Sequence, residues 1–189
     1  MQENVNVKIK GRCRIQDIES EEIIRDQHND VHPQNMALVI ARALSRDANG
    51  HIFKMCFGNG GTFYTSSGLL VYRPPNTIGS ADLYNETYSV NVDDQSVGTP
   101  ESNSVVSSPS PNPSITSNIR IIAQLNANEP SGQSSSDNIT TNPEAPYIFD
   151  EIGLKTEDGL LLTHLTFNPT EKTGNRAFRI IYDLTVSVS

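Results

Sequence analysis

Three pairs of adjacent carboxylates, Asp93/Asp94, Asp150/Glu151 and Glu157/Asp158, are the first candidates for chemistry. Two carboxyls can act as general acid and base, but only where both reach one substrate. Neighbours on an extended strand point to opposite faces, so each pair reads as a solvated edge or turn. Of the four histidines, His28, His32, His51 and His164, only the first two are spaced closely enough to share a metal. Asn29, Asp30 and Pro33 surround that pair, which makes it a site of turn and cap hydrogen bonds. The run Gly58-Asn59-Gly60-Gly61 would suit a phosphate loop, yet it has no Lys and leads into Thr62, Phe63 and Tyr64, strand residues with no helix N-terminus to hold an anion. It reads as a tight turn needing positive φ at more than one place. Asp47-Ala48-Asn49-Gly50 lacks the closing Glu of a calcium loop. There is no Gly-x-Ser-x-Gly elbow, and Cys13 and Cys56 lie inside strand patterns, where a thiol is a small buried residue. The expectation is no catalytic residue, no cofactor and no metal.

The elements that must position these groups are nearly all strands. From Val5 to Ile18 apolar residues alternate with polar ones, a long strand bent near Gly11, and Ile23–Ile24 can pair back on it across Ser20 and Glu21. Pro33 opens the single helix, expected over residues 33–46. There Met36, Val39, Ile40, Ala43 and Leu44 form one apolar stripe, His32 or Asp30 caps the start, and Asn49 or Gly50 turns left-handed at the end. Strands are expected at residues 52–57, 62–65, 69–72, 83–90, 115–125, 147–149 and 160–167, with Asp158-Gly159 as a hairpin turn. The last strand, residues 178–188, is the clearest: Phe178, Ile180, Tyr182, Leu184, Val186 and Val188 share one face, while Arg179, Ile181 and Asp183 lie on the other. The fold class expected is mainly β: a β-sandwich, jelly-roll-like if it closes, with one amphipathic helix near the N-terminus and long polar loops.

Of the 189 residues 35% are apolar, and even with the 12 Gly added the chain falls short of the roughly 45–50% usual for a soluble domain. The shortage sits in residues 93–114 and 126–143, rich in Ser, Pro, Asn and acid. The organisation expected is one β-rich domain over 1–189 with a polar arm at 93–114 and a polar loop at 126–143. Such tracts cannot offset their ordering entropy alone and order most readily against a neighbour, which points to an assembly. A net charge of −8 disfavours nucleic acid as a partner. With no Trp and 6% aromatics, a stacking platform for sugars or bases, glycan included, is not expected either. No stretch is apolar enough to span a membrane, and the N-terminus has no signal-peptide pattern, so intracellular synthesis is expected.

The stretch from Asp26-Gln27-His28-Asn29-Asp30-Val31-His32-Pro33 through Ile40-Ala41-Arg42-Ala43-Leu44, followed by Phe57-Gly58-Asn59-Gly60-Gly61-Thr62, resembles a family of tailed-bacteriophage virion structural proteins. Tyr72-Arg73-Pro74-Pro75-Asn76, Phe149-Asp150-Glu151-Ile152-Gly153 and Leu161-Leu162-Thr163-His164-Leu165 extend the likeness, which skips the polar middle. The resemblance implies a non-enzymatic virion subunit whose partners are copies of itself and other virion proteins. Symmetric assembly at the neck, tail or baseplate is expected, with capsid decoration or a lectin-like host-recognition module as alternatives. The candidate interface is the arm, with Asp93, Asp94, Val105, Val106, Pro109, Pro111 and Pro113, together with Arg179, Ile181 and Asp183 on the C-terminal strand, taken as a long edge able to extend a neighbour's sheet.

Overall fold

The computed structural model describes residues 5–92, 103–109, 116–130 and 146–189. They form one helix and eleven strands: β1 (Val7–Asp17), β2 (Ile23–Val31), α1 (Pro33–Leu44), β3 (Lys54–Gly58), β4 (Thr62–Tyr64), β5 (Leu70–Tyr72), β6 (Glu86–Asn91), β7 (Ser104–Pro109), β8 (Thr116–Leu125), β9 (Tyr147–Lys155), β10 (Leu161–Lys172) and β11 (Phe178–Val188). Nine strands make a single antiparallel sheet in the order β6-β3-β9-β10-β2-β1-β11-β8-β7, and β4 and β5 form a separate two-stranded ribbon.

The sheet curls because β2 changes partners along its length. Its first part, through Asn29, pairs with β1, whereas Asp30 and Val31 pair with His164 and Thr163 of β10. The two halves face each other across one core, and β6 comes to lie against β8. Phe149 of β9 stands at its centre, with ring centroids of Phe57 and Phe167 at 5.7 Å, Tyr147 at 5.5 Å and Phe178 of the opposite half at 6.4 Å. The mainly β, sandwich-like architecture with one helix near the N-terminus is what the alternation of apolar residues implies.

The helix begins where Pro33 supplies a pre-set φ and His32 a cap: His32 Nδ1 accepts from Asn35 N at 3.2 Å. Its Nε2 then carries the proton and donates to Gly79 O at 3.1 Å. Asn35 Nδ2 donates to Leu161 O at 2.8 Å, fixing this end of α1 to β10. At the other end the left-handed residue is Arg46, with φ 61°, and not Asn49 or Gly50. Gly50 serves close approach instead, since a Cβ there would meet Ala43 N at 2.5 Å.

Two expectations are corrected. The C-terminal strand is not an edge: β11 is laddered to β1 over residues 178–188 on one side and to β8 over residues 178–187 on the other, so its backbone groups are spent. Its alternation suits an interior strand as well as an edge one, and only pairing distinguishes the two. The arm at 93–114 is not loop throughout, because β7 lies inside it as the last strand of the sheet among the described residues, with Val105 opposite Ile121 and Val106 opposite Arg120.

Candidate functional site

Asp150 and Glu151 are neither solvated nor at an edge. They lie on β9, between β3 and β10, and are 3% and 0% exposed. Every oxygen is occupied from within. Asp150 Oδ1 accepts from Gly61 N at 2.7 Å, and Oδ2 accepts from Thr62 N at 2.8 Å and from the Thr62 hydroxyl. Glu151 Oε1 accepts from Asn85 N at 2.8 Å and Gly60 N at 3.1 Å, and Oε2 from Tyr84 N at 2.9 Å. His164 of β10 completes the cluster with Nε2 at 2.9 Å from Glu151 Oε2. Its Nδ1 accepts from Asn76 N at 2.7 Å, so the proton sits on Nε2, which donates to the carboxylate.

The electrostatics of the two acids differ. Burial raises the carboxyl of Asp150, and the bonds from Thr62 and Gly61 only partly counter it. Burial also opposes ionisation of Glu151, but the bonds from His164, Asn85 and Tyr84 outweigh it and hold that carboxyl below its ordinary value. A Glu–His pair resembles half of a general-base system, yet both nitrogens of His164 are bonded internally and the pair is fully buried. Chemically the cluster is a fastener. It ties the chain leaving β3, residues 58–62, and the segment around Asn76 and residues 84–85 to the middle of the sheet.

The glycine run is explained by this fastening, not by turn geometry. None of Gly58, Gly60 and Gly61 has positive φ among the described glycines, contrary to the tight-turn expectation. A Cβ on Gly61 would stand 2.7 Å from Asp150 O, and one on Gly58 2.3 Å from Asn85 O. Only a bare backbone can come close enough to place these N–H groups on the carboxylates.

What the fastener holds out is the ribbon of β4 and β5. Arg73 closes its root: its N donates to Gly61 O at 2.8 Å, its carbonyl accepts from the Thr166 hydroxyl at 2.9 Å, and its guanidinium lies 4.9 Å from the Tyr84 ring centroid and 5.6 Å from that of Phe63. Beyond this root the apolar side chains face solvent. Phe63 is 44% exposed, Tyr64 70%, Leu69 65%, Tyr72 51%, and Ile78 in the following loop 82%. By register Thr62, Tyr64, Leu70 and Tyr72 share one face of the ribbon, while Phe63 and Val71 share the other. A two-stranded ribbon cannot bury both of its own faces.

A second apolar surface lies between α1 and the sheet. It is a cleft of about 480 Å³, floored by Ile9, Ile119, Leu184 and Val186 and walled by Met36, Val39, Ile40 and Ala43 of the helix. Val105, Val106 and Ser107 of β7 form its rim, so two residues of the expected interface border this cleft. Pro109 pairs with Ser117 at the end of the same strand. Asp93, Asp94, Pro111 and Pro113 lie outside the described residues.

Arg179, Ile181 and Asp183 share the outward face of β11, in mid-sheet. Asp183 is taken up by Arg120 at 2.7 Å and Arg14 at 3.1 Å. Cys13 and Cys56 are buried free thiols, and burial drives both far above the ordinary thiol range. Among the described residues no group of three His, Cys, Asp or Glu could hold a metal, and no helix is long and apolar enough to cross a membrane.

Sequence reasoning missed the ribbon surface and the buried acids. The signal for the first was present, since Leu69-Leu70-Val71-Tyr72 is apolar at consecutive positions and so on both faces of so short a strand. For the second it was absent, because the burial of Asp150 and Glu151 depends on loops arriving from more than sixty residues away. Comparison with protein-family models, curated protein sequences and solved structures finds no match to this chain.

Proposed function

We propose that this chain is a non-enzymatic structural subunit of a tailed-phage virion, built into a symmetric oligomer at the neck, tail or baseplate. The observation that carries the reading is the use made of the reactive groups. Asp150, Glu151 and His164 are buried and spend their capacity on backbone donors and each other, and the segment they anchor presents apolar side chains outward. Exposed apolar patches rimmed by polar residues mark contact surfaces. A strand that ends the sheet among the described residues, beside an apolar cleft, is a further place for another chain to dock. The sequence resemblance supplies the virion context.

Cryo-electron microscopy of the particle is the direct test. Density for this chain repeated around the neck, tail or baseplate axis is the expected result. Density on the capsid shell would make it a decoration protein instead, and its absence from purified particles would overturn the reading. A lectin-like role gains one observation from the structure, the exposed rings of Phe63, Tyr64 and Tyr72 on a single ribbon. Specific binding of the isolated protein on a glycan array, lost on Tyr64→Ala, would favour that role.

A further inference from the structure

The two apolar surfaces of this chain complement one another. The ribbon is a projection: its turn, Ser66-Ser67-Gly68, is small, Tyr64 and Leu69 flank it with most of their surface in water, and Tyr72 is half exposed nearer the root. The cleft is a recess of about 480 Å³, within the ~300–1,000 Å³ range of sites that enclose a ligand. No Asp, Glu, Lys or Arg lines it among the described residues; His51 and Ser107 are the polar side chains of an otherwise apolar lining, so a cationic ligand would find no counter-charge there. Apolar side chains are the matching occupant. The rim strand β7 has no partner on its far side among the described strands, so a ribbon entering the cleft could also hydrogen-bond along that edge. The ribbon is held in place by the Asp150–Glu151 fastener, so little ordering cost remains to be met on docking.

We propose that the β4–β5 ribbon of one copy seats in the cleft between α1 and the sheet of a second copy. Ribbon and cleft share no residue, so the contact either closes a pair, each ribbon in the other copy's cleft about a two-fold axis, or repeats head-to-tail into a ring or a filament. The proposal rests on the reading of the chain as an assembly subunit and gives that reading its contact, without depending on where in a particle the chain sits.

The test uses two disabled versions of the full chain. One carries Tyr64→Asp and Leu69→Asp on the ribbon; the other carries Ala43→Glu in the cleft. All three positions are exposed, so the variants are expected to keep the wild-type circular dichroism and melting temperature. In sedimentation velocity the wild type is expected to form oligomers, while each variant alone is weakened by at least about tenfold, as when an interface anchor is removed. Mixed together, the two variants should form a one-to-one heterodimer that grows no further, because one intact ribbon and one intact cleft remain. As a second readout, Tyr64→Cys in one copy and Ala43→Cys in another should form an intermolecular disulfide under mild oxidation.

A wild type that stays monomeric at every concentration overturns the proposal and leaves the cleft to a different partner. Variants that still assemble, or a mixture that remains two monomers, overturn it too. Virion occupancy is not read in this experiment. Self-association by ribbon and cleft in a protein missing from particles would sink only the virion reading.

Discussion

At the scale of single residues, Glu151 is the side chain on which most depends, since its two oxygens serve four donors. Glu151→Gln puts an NH₂ group where an oxygen now accepts, leaving at least one buried N–H without a partner. A charged buried hydrogen bond contributes about 1.5–3 kcal/mol, so the variant should lose roughly 3 kcal/mol in urea unfolding at neutral pH. The pH dependence has a definite sign. The folded carboxyl lies below its ordinary value of 4.5, so its stabilisation is complete above that pH and is lost as pH falls through the lowered value. The gap between wild type and Glu151→Gln should therefore be widest near neutrality and close on acidification below 4.5. A gap that stays constant down to the lowest pH would show that packing, and not the ionised carboxylate, is what the substitution removes. Asp150, raised by burial, works in the opposite direction, favouring the fold in the protonated state, and its slope is largely common to both proteins. The thiols allow a simpler check. Buried Cys13 and Cys56 should be silent to Ellman's reagent in the native protein and should both react in urea.

At the scale of elements, the chain leaving β3 is where local sequence and distant structure meet. Gly61→Ala would force a Cβ to within 2.7 Å of the Asp150 carbonyl oxygen, which belongs to a central strand and cannot give way. The loop must move instead, at an expected cost of about 1–3 kcal/mol, typical of overpacking. Weaker self-association should accompany the lower urea midpoint, because the ribbon loses its seat. Unchanged values of both would mean that the fastener does not set the ribbon's position. The same region shows why the sequence is only partly legible. The long strands β1, β8 and β11 and the helix were readable because period and capping are local properties, satisfied within a few residues. Asp158-Gly159 predicted its hairpin for the same reason, Gly159 taking φ 89°. Strand β9 reads from the sequence only over residues 147–149, since nothing local shows that Asp150 and Glu151 are buried; the donors that satisfy them come from residues 60–62 and 84–85. Strand β7 escaped notice because Val105 and Val106 are two apolar residues in a serine-rich tract, and their worth as a strand depends on Ile121 and Arg120 opposite. The interior place of β11 was equally hidden, since strand order is set by non-local pairing.

At the scale of the whole molecule, a net charge of −8 on 189 residues sets copies of this chain against each other in solution. Any contact between them must overcome that repulsion. The exposed ribbon side chains and most of the cleft lining are apolar, and among the described residues they form no ion pairs to be screened, so salt should act mainly on the repulsion. Self-association is therefore expected to tighten as sodium chloride rises from low to moderate concentration, the reverse of what a contact built on Arg179 and Asp183 of β11 would do. Asp183 already has Arg14 and Arg120 as partners, which leaves it little charge to offer a neighbour. Sedimentation velocity across a salt series decides between the two. Association that strengthens with salt places the contact on the apolar surfaces, and association that weakens returns it to the charged face of the sheet. The same experiment near the pI of 4.9 separates repulsion from contact, because oligomers should reach their greatest size there without added salt. The Tyr64→Asp, Leu69→Asp protein, with its ribbon disabled, should show no such maximum.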